Sequence, residues 1–92
     1  MTPDELRHLD HAPPQSPALQ ALWWAAHDGW DRAHEAAQSD PGPDAAWVHA
    51  SLHRAEPDLE NARYWYGVAK QPVCTAPLEA EWTAIAAALL KA

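Results

Sequence analysis

Apolar residues recur along this chain at spacings of three and four, the period of a helix with one buried side. Leu19, Leu22, Trp23 and Ala26 stand at i, i+3, i+4 and i+7 behind Ser16-Pro17. Serine caps helix starts, and proline suits a first turn because its missing N–H would be unbonded there anyway. The pattern predicts a helix from residue 17 to about 27, broken by Asp28-Gly29. Trp30, Ala33 and Ala37 carry a second helix to about residue 38. Ser39-Asp40-Pro41-Gly42-Pro43 is the strongest break in the chain. Beyond it, Ala45, Val48, Leu52 and Ala55 form the stripe of a third helix over residues 44–55. Glu56-Pro57-Asp58 starts a fourth, running to about residue 70, with Leu59, Ala62, Tyr66 and Ala69 turned inward. Gln71-Pro72 ends it, and Thr75-Ala76-Pro77 opens a fifth whose face is Leu78, Trp82, Ile85 and Leu89. No segment alternates with the period of two that a half-buried strand requires. Residues 1–16, with Pro3, Pro13 and Pro14 and only Leu6 and Leu9 as larger aliphatics, read as an irregular arm. At most a short helical turn is expected over residues 4–9. The expectation is one all-α domain over residues 17–92.

The helices repeat. Asp28-Gly29-Trp30-Asp31-Arg32-Ala33 lies 29 residues before Pro57-Asp58-Leu59-Glu60-Asn61-Ala62, and the same offset pairs Leu19 with Val48 and Ala21 with Ala50. In both segments an acidic turn leads to a bulky apolar residue and then to a small alanine. Only a small side chain lets two helix backbones approach closely. Asn61-Ala62-Arg63-Tyr64-Trp65-Tyr66-Gly67-Val68-Ala69 resembles the second helix of a Sel-type repeat, and residues 17–72 as a whole resemble the tetratricopeptide class. That resemblance implies two tandem antiparallel helix hairpins in a right-handed stack, closed by a C-terminal capping helix, and a role in protein–protein interaction. The first unit departs from the pattern, with Ala37 where an aromatic is expected. Trp47-Val48-His49-Ala50-Ser51-Leu52-His53-Arg54, Trp30-Asp31-Arg32-Ala33-His34 and the Tyr64-Trp65-Tyr66 segment are also similar to a group of small bacterial proteins of uncharacterised function. This second resemblance implies no activity.

Charge narrows the function classes. Thirteen acidic side chains against six basic ones give a net charge of −7. Such a chain lacks the basic footprint of a nucleic-acid or anionic-membrane binder. A single cysteine, Cys74, excludes an internal disulfide and reads as a small packing residue in a connector. The longest apolar run, residues 83–90, is too short to span a bilayer. The acidic, proline-bearing start is unlike a secretory signal. A cytoplasmic protein is the expectation.

The residues that bear chemistry are histidines and aromatics. His49 and His53 are four apart and share a helix face, Glu56 continues that face, and His34 can approach from the preceding helix. Imidazoles and a carboxylate in this pattern can hold a metal ion, so His49, His53 and Glu56 form an alternative metal set, and His34, His49 and His53 an alternative histidine-dependent enzyme site. Against catalysis, Ala50 stands where a His-Glu-x-x-His motif needs its base, and the chain has no nucleophile motif and no phosphate loop. His8 and His11 on the arm read as surface residues. Tyr64, Trp65 and Tyr66 point about 100° apart around one helix, so they cannot all enter the core. Tyr66 and either Trp47 or Trp65 are expected inside. The leading expectation is a non-enzymatic interaction or structural module without a cofactor. Its binding face comprises His34, Trp47, His49, His53, Arg54, Asn61, Tyr64 and Trp65, and its partner is a protein, a peptide or a second copy of the chain.

Overall fold

The computed structural model describes residues 1–14 and 16–91. Gln15, within the expected arm, and Ala92, at the end of the expected domain, lie outside the described residues. The described residues form six helices and no strand: α1 (Pro3–Arg7), α2 (Pro17–Ala26), α3 (Trp30–Gln38), α4 (Pro43–Ala55), α5 (Leu59–Ala69) and α6 (Leu78–Lys91). None is long and apolar enough to cross a membrane.

The ends of these helices follow from the punctuation residues. The Ser16 side chain accepts from the Leu19 N–H and starts α2, with Pro17 in its first turn. The Asp58 side chain accepts from the Asn61 N–H and starts α5. Lys70 ends α5 in the left-handed conformation, at φ 58°. Asp28 takes the same unusual conformation between α2 and α3, at φ 58°. Gly29 is needed beside it for a different reason. A Cβ there would lie 2.8 Å from Cε3 of the Trp24 ring, closer than any real contact.

Two helix pairs dominate the packing, α2 against α3 and α4 against α5. The alanines related by the 29-residue offset lie inside them: Ala21 and Ala33 in the first pair, Ala50 and Ala62 in the second, all buried. Helix α4 is central, since it also packs on α2, α3 and α6. The main core gathers Leu6, Leu22, Val48, Leu52, Trp82 and Ile85 with small alanines between them. A smaller core of Ala50, Ala62 and Tyr66 lies between α4 and α5. Half-buried Trp47 touches both.

The N-terminal segment is more ordered than an irregular arm. Thr2 and Glu5 form a reciprocal capping box at the start of α1. Leu6 is wholly buried. Arg7 lies over the Trp82 ring at 4.6 Å and pairs with Glu79 at 2.6 Å. Trp23 Nε1 donates to the Leu9 carbonyl at 2.9 Å. His8 and His11 are exposed, as expected.

The apolar stripes depart from expectation at their ends. Leu59 and Leu78 are 54% and 44% exposed, and Ala26 and Ala55 are exposed too. Each occupies the first or last position of its helix, where the neighbouring helix no longer covers it.

Candidate functional site

Helix α4 presents two chemically distinct sides. His49 and His53 lie on the side toward α3 and α5, one turn apart, and both are buried. His34 of α3 meets them there, half-buried. Its Nε2 is 3.0 Å from Nε2 of His49, so one of these nitrogens carries a proton and donates to the other. A ring nitrogen from each of His34, His49 and His53 lies within 4.8 Å of the other two. His53 turns Nδ1 to the Glu56 carboxylate at 2.7 Å. Acting as donor, that nitrogen leaves Nε2 as the ring's free lone pair.

Aromatic rings fix this cluster on both flanks. Trp30 stacks on His34, with ring centres 4.8 Å apart, and its Nε1 donates to the Leu52 carbonyl at 2.8 Å. Trp65 stacks on His49 at 3.9 Å. His49 and His53 stack on each other at 4.8 Å. Burial, followed by the neighbouring His34 and His53, pushes the His49 pKa down to about 4. Burial and then His53 lower that of His34 as well. The His49 imidazole is therefore neutral at neutral pH.

The aromatic seam reaches the surface on α5. Tyr64 meets Trp65 edge to face at 5.1 Å and is itself 63% exposed. Val68, one turn further on, is also exposed, as are Asn61, Arg63, Gly67 and Lys70. Among the described residues Arg63 and Lys70 form no ion pair, whereas Arg7 and Arg54 do.

The opposite side of α4 holds a buried charge. Glu81 of α6 is 3% exposed, and Arg54 Nη1 donates to its Oε1 at 2.8 Å. Tyr66 Oη donates to Glu81 Oε2, and Arg54 Nη2 donates to the Ala76 carbonyl in the α5–α6 connector. Burial and then the Glu81 hydrogen bond raise the Tyr66 pKa. Burial pulls the Arg54 guanidinium down, but the hydrogen bond and charge of Glu81 outweigh it and raise its pKa. All buried side-chain polar atoms among the described residues have partners.

The eight expected binding residues therefore divide. His34, His49, His53 and Trp65 come together. Tyr64 and Asn61 extend from them onto the outer face of α5. Arg54 and Trp47 lie elsewhere, because at about 100° per residue they point at least 100° away from His53 and His49 around α4. Arg54 is committed to Glu81, and Trp47 to the two cores. Glu56 touches the histidines only through His53. Of the aromatic triplet, Tyr66 is the buried member, as expected, while Trp47 and Trp65 are both half-buried. Two residues escaped the sequence reading. Trp30 stands four before His34, a spacing that brings their rings together. Glu81 stands four before Ile85, on the apolar stripe of α6, where a carboxylate needs a buried partner.

Comparison with protein-family models, with curated proteins and with solved structures finds no match to this chain.

Proposed function

We propose that this chain is a non-enzymatic binding module that engages another protein through the outer face of α5, around Tyr64 and Val68. The observation that carries this reading is an aromatic ring and a valine left uncovered one turn apart. Aromatic residues are among the types that dominate binding energy at protein interfaces. Behind the face, Trp65 is clamped between Tyr64 and His49, so the surface ring rests on a rigid support. Pre-organisation of this kind lowers the entropy cost of binding. The paired helices and the 29-residue offset support a tetratricopeptide-like arrangement of two antiparallel hairpins with α6 as cap, a class of architecture suited to this role.

Tyr64→Ala and Val68→Asp test the reading, because both positions are exposed and neither substitution opens the core. The wild-type chain is expected to retain a partner from its own cell extract, and both variants to lose it at unchanged thermal stability. Retention of the same partner by both variants would overturn the assignment.

A further inference from the structure

We propose that His34, His49 and His53 form a three-nitrogen site for a divalent first-row transition ion of the zinc class. The site is separate from the α5 surface and does not depend on it.

The geometry is close to what such an ion requires. Zinc binds imidazole nitrogen at about 2.0–2.1 Å, which in a tetrahedral site sets two nitrogens about 3.3 Å apart. Here His34 and His49 bring their Nε2 atoms to 3.0 Å, and the nitrogens of all three residues fall within 4.8 Å. Ligation requires the three rings to turn their lone pairs toward one point. The ion would take the place of the proton between His34 and His49, and the ring that donates it there would carry it on Nδ1 instead.

Two features separate this cluster from ordinary polar packing. First, the Glu56 carboxylate holds Nδ1 of His53 at 2.7 Å. A carboxylate on the far nitrogen is the usual way a metal-ligating histidine is oriented and made more basic. Second, Trp30 stacks on His34 and Trp65 on His49, so two of the three ligands are held before any ion arrives. His34 is only half-buried, which gives an ion an entry path. The three nitrogen donors suit zinc, cobalt, nickel or copper over calcium or magnesium, which prefer oxygen.

The test uses the full chain without an affinity tag. Zinc is titrated calorimetrically, and cobalt by its visible absorption, into wild type, His34→Gln, Glu56→Gln and a His8→Gln/His11→Gln control. Circular dichroism without metal checks that each variant is folded. The expected result is one ion per chain in wild type and in the control. His34→Gln is expected to lose at least tenfold in affinity, and Glu56→Gln about 10–100-fold, the usual cost of removing a ligand's supporting carboxylate. Glu56 is part-exposed, so that variant keeps the question open even where His34→Gln fails to fold. Absence of stoichiometric binding in wild type, or affinity unchanged in a folded variant, would overturn the proposal.

Discussion

Replacing Arg54 with methionine removes one half of the Arg54–Glu81 pair and leaves the apolar part of the side chain in place. Glu81 is then a buried carboxylate, 3% exposed, with only the Tyr66 hydroxyl to receive. Breaking a buried ion pair from one side costs about 3–5 kcal/mol, because the remaining charge has lost its compensation. A chain of 92 residues has roughly 5–14 kcal/mol of stability at about 0.05–0.15 kcal/mol per residue. The substitution thus removes a large part of the total. At a urea dependence of about 1.5 kcal/mol per molar, the midpoint falls by roughly 2–3 M. Removing all three groups together is milder. Arg54→Met with Glu81→Met and Tyr66→Phe leaves no orphaned polar atom in that core, and apolar replacement of a buried ion pair is often neutral. The triple variant is expected within about 2 kcal/mol of wild type and above the single variant. Equilibrium urea unfolding followed by tryptophan fluorescence measures all of these. A cost below about 1 kcal/mol for Arg54→Met, or a triple variant less stable than the single, would mean that Arg54 does not compensate the buried Glu81 charge.

Three further outcomes are expected. Leu6→Ala should cost about 2–5 kcal/mol by thermal or urea unfolding, since the residue is fully buried in the main core; a change below 1 kcal/mol would show that the N-terminal segment is a detachable arm. Gly29→Ala should cost about 1–3 kcal/mol, because the new methyl meets the Trp24 ring at 2.8 Å; a neutral result in the same assay would mean that the ring moves aside freely. The metal-free protein should lose stability in acid through His49, whose pKa is about 4 when folded against an ordinary 6.5. The unfolded chain takes up this proton first, so the contribution is complete above pH 6.5 and drains as pH falls toward 4, by up to about 3 kcal/mol. His34 acts in the same direction. Urea midpoints in chelator at pH 8, 6 and 5 check this, and a flat profile would contradict it.

Helix positions were legible because serine, proline, glycine and aspartate act locally. Ser16-Pro17, Asp28-Gly29 and Asp58 each do in the structure what their chemistry dictates in the sequence. The meeting of His49 and His53 was legible for the same reason, as a spacing of four on one helix. The approach of His34 was also foreseeable, because α3 and α4 are joined by a short connector and pack together. Less visible was how the chain divides around α4. Arg54 follows His53 directly, yet one residue of helix rotation sends it to Glu81, 27 positions away. Only the packing of α6 reveals that partner. The role of the first residues was hidden in the same way. Leu6 looks isolated in sequence, and its burial depends on where α6 and α2 cross the start of the chain. Leu59 and Leu78 failed in the opposite sense, since a periodic stripe does not tell where the covering helix ends.

The outer face of α5 is proposed as a working surface. Its most direct test is site-specific photo-crosslinking in the native cell, with benzoylphenylalanine in place of Tyr64 and, as a control, of Ala87, which is exposed on α6. A discrete adduct is expected from position 64, abolished by Val68→Asp, and none from position 87. Equal labelling from both positions, or no adduct from position 64, would contradict it.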